Sequence, residues 1–73
     1  MTFADNVRRL RHERFLSQRE LAEKAGVTRI TIARIEAGDY IPYPRTIRQL
    51  AAALGVLPAE LIPPAELEKK EAA

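Results

Sequence analysis

The sequence predicts an all-α fold, a compact bundle of five short helices, and three observations carry that prediction. Apolar residues recur at helical spacing, as in Ile47, Leu50, Ala51 and Leu54. No stretch shows the alternation of apolar and polar residues that marks a half-buried strand. Glycine and proline break the chain at short intervals, at Gly26, Gly38, Pro44, Gly55, Pro58 and Pro63-Pro64.

Thr2 can cap a first helix over Phe3–Glu13, with Asp5 as the acid that answers a capping threonine. Phe3, Val7 and Leu10 share one stripe of it, and Arg11 lies at the stripe's edge. Ser17-Gln18-Arg19-Glu20 is a capping box that opens a second helix, about residues 18–25. Leu21, Ala22 and Ala25 form its narrow inward stripe, and the alanines allow a neighbour to come close. Gly26 suits the left-handed position that ends a helix, and Thr28 is a good N-cap for a third, about 29–37. Gly38-Asp39 ends that one by turn chemistry. Ser17–Gly38 is therefore the outline of a helix-turn-helix. An extended loop, Tyr40-Ile41-Pro42-Tyr43, leads to Pro44, which starts a fourth helix ending at Gly55. Val56-Leu57-Pro58 then introduces a short fifth helix, Ala59–Ile62, cut off by Pro63-Pro64. Residues 1–64 make the domain, and the polar tail 65–73 is expected to fray.

A chain of 73 residues makes one domain, near the lower limit for an unaided core. It has no cysteine and one histidine, so neither a disulfide nor a metal site is expected, and no cofactor is implied. There is no G-x-S-x-G and no glycine-rich phosphate loop, so no catalytic residue and no small-molecule ligand are evident. No apolar run approaches the roughly 20 residues that cross a bilayer, and the first residues lack the apolar core of a signal peptide. A soluble, cytoplasmic protein with no membrane partner is the expectation. Charge is uneven: residues 1–50 hold ten Lys/Arg and six Asp/Glu, a balance of +4, and residues 51–73 hold two and four, a balance of −2. Nine of the twelve basic residues are arginine, which suits a polyanionic partner better than lysine does.

The third helix carries an outer face that a core does not need. At about 100° per residue, Thr28, Ile35 and Glu36 lie near the inward direction of Ile32. Ile30, Ala33 and Arg34 point the other way, with Arg29 and Thr31 on the flanks. A solvated face is usually rich in Glu, Lys and Gln, yet no acid appears here before Glu36. Arginine can donate bidentately to guanine, and the methyls of Ile or Thr can touch the thymine methyl.

These residues resemble the Cro and phage-repressor type of helix-turn-helix, the xenobiotic-response-element family with a lambda-repressor-like fold. The pattern covers about Phe3–Ile62 and reads Val7-x-x-Leu10-Arg11, Leu16-Ser17-Gln18-x-x-Leu21-Ala22, Ala25-Gly26-Val27-Thr28, Ile32-x-x-Ile35-Glu36-x-Gly38, Pro42 and Leu50-Ala51-x-x-Leu54-Gly55-Val56. The resemblance implies a sequence-specific regulator of transcription, most simply a repressor. It would bind double-stranded DNA as a homodimer on a pseudo-palindrome, in a bacterial or phage setting at the nucleoid. It also implies that Arg29, Ile30 and Arg34 face bases, while Gln18, Thr28 and the loop after the third helix hold phosphates. Thr31, Tyr40 and Arg45 complete the expected phosphate contacts. Arg11 and Glu36 are implied to form a partly buried structural ion pair.

The chain departs from the family's pattern in three places. Phe15 replaces a small turn residue, so either that corner is rebuilt or Phe15 covers the core. Leu57 stands where a capping hydroxyl or carboxylate is usual, which predicts a weak start to the fifth helix. Ile30 either meets thymine methyls or is an exposed apolar residue with no specific role. Leu57, Leu61, Ile62 and Leu67 either form a dimer surface or close the bundle. Two other functions fit the same sequence: a protein-interaction module on this fold, antitoxin- or coactivator-like, and a non-specific architectural DNA binder.

Overall fold

Each helix but the fourth starts where a side chain within three residues can satisfy its first donors. In the computed structural model, which describes residues 2–63, four α-helices follow one another: α1 (Phe3–Glu13), α2 (Gln18–Ala25), α3 (Arg29–Glu36) and α4 (Pro44–Leu54). The Thr2 hydroxyl accepts from the Asp5 N–H at 3.1 Å, and the Asp5 carboxylate accepts from the Thr2 N–H at 3.2 Å. Ser17 and Glu20 form the same reciprocal pair ahead of α2, at 3.0 and 2.9 Å. Thr28 caps α3 by accepting from the Thr31 N–H at 3.2 Å, with no acid to answer it. No side chain caps α4, whose first position is the proline that lacks the donor.

All four helices end in one hydrogen-bonded turn, the Schellman motif. Leu16 N–H donates to the Arg11 carbonyl at 3.1 Å and Phe15 N–H to that of His12 at 3.0 Å. The same pair of bonds joins Val27 to Ala22 and Gly26 to Glu23, then Asp39 to Arg34 and Gly38 to Ile35, then Val56 to Ala51 and Gly55 to Ala52. The turning residue is glycine at positive φ in three of them. In the turn after α1 it is Phe15, at φ 54°. Neither expectation for Phe15 holds: the corner keeps the conformation a glycine would have, and the ring is 93% exposed instead of covering the core. The hydrogen bonds of the turn and the burial of Leu16 and Arg11 on either side of it hold a non-glycine residue in a conformation that costs about 1–2 kcal/mol.

The core is made of Phe3, Val7 and Leu10 from α1, Leu21, Ala22 and Ala25 from α2, Ile32 and Ile35 from α3, and Ile47, Leu50, Ala51 and Leu54 from α4. Helix α2 packs between α3 and α4, and α1 lies across α3 and α4. Fully burying a Val, Leu, Ile or Phe side chain contributes about 1.5–3 kcal/mol, so the nine such positions among these twelve are what holds a chain of this length.

The fifth helix is corrected to a single 3₁₀ turn, Pro58–Glu60. Four residues between Pro58 and Pro63 leave no room for successive α-helical bonds, and Leu57 has no side-chain acceptor for the first donors. Glu60 supplies only the returning half of a capping box, accepting from the Leu57 N–H at 2.6 Å. Leu61 behind the turn is fully buried and closes the bundle, so it is not available as a dimer surface. Asn6 pins it there, donating from Nδ2 to the Leu61 carbonyl at 2.9 Å. Leu57 is exposed and Ile62 half-buried; Leu67 and the tail 65–73 lie outside the described residues. Among the described residues, no helix is long and apolar enough to cross a membrane.

Candidate nucleic-acid interface

Helix α3 is anchored from beneath by an ion pair. The Arg11 guanidinium meets Glu36 side-on, Nε to Oε2 at 2.6 Å and Nη2 to Oε1 at 2.9 Å, with both side chains almost wholly buried. Arg11 Nη1 donates to the Leu16 carbonyl at 2.8 Å, and the His12 ring lies at 3.1 Å from Nη2. The hydrogen bonds that Arg11 donates to the Glu36 carboxylate hold its pKa above the ordinary value. Arg8 adds a second tie, donating to the Glu36 carbonyl at 2.7 Å while also meeting the Asp5 carboxylate. It thereby satisfies one of the carbonyls left unpaired at the end of α3. The last turn of α3 is thus fixed to α1 through both side chain and backbone.

With Ile32, Ile35 and Glu36 turned inward, the other residues of α3 face out. Arg29 is exposed, Ile30 is 65% exposed, and the Arg34 side chain is 62% exposed. Ala33 and Thr31 are half-buried on the flanks. Among the described residues Arg29 has no ion-pair partner. The Thr28 and Thr31 hydroxyls are 2.9 Å apart at the start of the helix.

Arg34 is held at the other end, its guanidinium carbon 5.4 Å from the centre of the Tyr40 ring and its Nε 3.5 Å from Asp39 Oδ2. Tyr40 is therefore half-shielded, and Tyr43 and Arg45 are exposed at the start of α4. Gln18 is half-buried and donates from Nε2 to Glu36 Oε1 at 3.2 Å. The structure thus gathers the site residues into three groups: Gln18 with Arg11 and Glu36, Thr28 with Thr31, and Arg34 with Tyr40.

Sequence reasoning missed Asn6, Arg8 and Asp39. Asn6 falls three residues after Phe3 on the apolar stripe of α1, and a polar residue on such a stripe was the available signal. Arg8 gave none, because its partner is a backbone carbonyl 28 residues away. In the sequence Asp39 is legible only as a turn residue.

A family model described as a helix-turn-helix domain matches residues 2–63. The immunity repressor protein of Bacillus phage phi105 is 37% identical over 73 residues, all of this chain and 51% of that protein. The chain spans about half the length of the curated relatives it matches first. The restriction-modification controller protein C.AhdI from Aeromonas hydrophila has a solved structure similar to this one, with a TM-score of 0.79, 35% identity, and coverage of 82% of this chain and 91% of that one. The P22 c2 repressor, solved in complex with a synthetic operator, shares the fold, with a TM-score of 0.81 at 22% identity over 85% of this chain and 94% of that one. By the match across residues 2–63, this chain belongs to the helix-turn-helix domain family.

Proposed function

We propose that the chain is a sequence-specific DNA-binding regulator of transcription, most simply a repressor, which places α3 in the major groove. The observation that carries this is the outer face of α3. Arg29, Ile30 and Arg34 are exposed on a helix whose other side is locked to α1 and α2. Arg29 and Arg34 would donate to guanine edges, and Ile30 would meet a thymine methyl. Thr28, Thr31, Tyr40 and Arg45 would set the register on phosphates. Gln18 would join them through the amide hydrogen that Glu36 does not take, so that its phosphate contact is braced by the buried ion pair. The relatives' printed names, an immunity repressor and a restriction-modification controller, support regulation as the setting.

Two chains related by a two-fold axis would meet half-sites about 34–36 Å apart on a pseudo-palindrome. Among the described residues, exposed Leu57 and half-buried Ile62 are what the candidate dimer set retains once Leu61 is assigned to the core. A regulator of this kind works in the cytoplasm, at the nucleoid.

The test is selection from a pool of random duplexes, with the stoichiometry of the bound complex measured by sedimentation. A two-fold-symmetric consensus bound by two chains is the expected result. Binding with a steep salt dependence and no enriched sequence would instead indicate an architectural binder. No DNA binding at all would point to a protein-interaction module.

A further inference from the structure

The four helix-ending turns share their hydrogen bonds but not the residue that follows the turning position. After α1, α2 and α4 that residue is Leu16, Val27 or Val56, and each packs against the core. This is the apolar contact that usually accompanies the motif. After α3 it is Asp39, half-exposed, with its carboxylate toward Arg34. The backbone bond from the Asp39 N–H to the Arg34 carbonyl, at 3.1 Å, ties these two residues to each other. Their side chains therefore meet as the apolar pairs do elsewhere, but as an ion pair.

Helix stability does not account for this aspartate. A negative charge at the C-terminal end of a helix opposes the helix dipole, where a cation is favoured. A half-exposed ion pair contributes little to folding. On the face proposed to meet DNA, a carboxylate also repels phosphates. What Asp39 does achieve is geometric. It engages Arg34 through Nε while the Tyr40 ring supports the guanidinium from one side. Among the described residues, neither terminal guanidinium nitrogen of Arg34 has a hydrogen-bond partner. Those two nitrogens are the ones that a bidentate contact to guanine can use.

We infer that Asp39 is a specificity-determining positioning residue, holding Arg34 ready for a base edge and disfavouring its capture by phosphates. The inference rests on the proposed DNA-binding function. In sequences that offer Arg34 a base contact, the guanidinium is already in place. In sequences that do not, Asp39 is left as an unfavourable charge beside the backbone.

Dissociation constants for the selected duplex and for a random-sequence duplex of equal length test this, with wild type, D39N, D39E, R34A and R34A/D39N. D39N should tighten binding to random DNA more than to the selected duplex, lowering the ratio between them by about fivefold. D39E should restore most of that ratio, and in the R34A background D39N should leave the ratio unchanged. Thermal unfolding of D39N should occur at or above the wild-type temperature, because the helix end loses an opposing charge. A D39N ratio within twofold of wild type overturns the inference. So does a fall of equal size without Arg34, which would reduce Asp39 to general repulsion. A wild-type chain that selects no duplex overturns the DNA-binding reading and this inference together; one that selects a duplex while D39N keeps its ratio overturns only the role of Asp39.

Discussion

Helices α2 and α3 have the same length and nearly the same backbone chemistry, yet they present opposite outer faces. Each is eight residues long, begins at a hydroxyl N-cap and buries three residues, and a left-handed glycine follows, Gly26 directly after α2 and Gly38 two residues after the end of α3. The exposed side of α2 carries Arg19, Glu20, Glu23 and Lys24, a mixed-charge surface suited to water. That of α3 carries Arg29, Ile30 and Arg34, with no acid in its first turn. Stability alone does not explain that difference. Local signals of the same kind build both helices, and it is the outer face that separates the one that supports from the one proposed to read.

The largest expected effect comes from the inner side of α3. Glu36→Ala leaves the Arg11 guanidinium buried without its partner and removes the anchor of Gln18, so stability should fall by about 3–5 kcal/mol in urea unfolding. No position on α2 has a comparable polar lock. Leu21→Ala, at the fully buried centre of α2, should cost about 2–5 kcal/mol through loss of packing instead. A Glu36→Ala loss below 1 kcal/mol would show that α3 does not depend on the pair.

The N-caps sharpen the comparison at a smaller scale. Ser17→Ala and Thr28→Ala should each destabilise by about 1 kcal/mol. The two ends should differ in their response to pH. The Glu20 pKa is lowered from its ordinary value, chiefly by the hydrogen bond from the Ser17 backbone and next by that from its hydroxyl. Its stabilising contribution is therefore fully present above the unfolded-state pKa and is lost as pH falls through the folded-state one. Glu20→Gln should reduce that acid dependence, whereas Thr28→Ala should leave it unchanged, because no acid answers Thr28. Equal pH profiles for wild type and Glu20→Gln would contradict the capping-box account.

The turns that lead into the two helices differ as well. Gly26 precedes α3, but Phe15 precedes α2, with the same sign of φ. Phe15→Gly relieves a left-handed phenylalanine while loosening the unfolded chain, and should raise stability by about 0.5–1 kcal/mol. Loss of stability in that variant would mean that the exposed ring makes a contact that its 93% exposure does not reveal.

The parts of the fold that were legible in the sequence are those decided within a few residues. Caps act over three positions, and the turning residues mark the ends, so the bounds of α1, α2 and α4 follow from Thr2, Ser17, Pro44, Gly26 and Gly55. Helix α3 ends at Glu36, one residue earlier than anticipated. Contacts that span the chain were not legible in the same way. Asn6 reaches Leu61 across 55 residues, and Gln18 reaches Glu36 across 18. The Arg11–Glu36 pair was implied by family resemblance; helical geometry placed both residues only near the edge of an apolar stripe. The 3₁₀ turn depended on competition between two prolines and a missing cap, which periodicity does not weigh. Asp39 escaped because its meaning lies in comparison with Leu16, Val27 and Val56, which occupy the same place in the other turns.

The outer face of α3 is tested most directly by measuring wild type and Arg34→Ala against the selected duplex substituted at one base pair at a time. Arg34→Ala should lose about 1–3 kcal/mol of binding and flatten the preference at one base position, leaving the others as they were. Gln18→Ala, as the control on α2, should weaken every duplex by a similar factor. An equal loss on every duplex for Arg34→Ala would contradict base reading by α3.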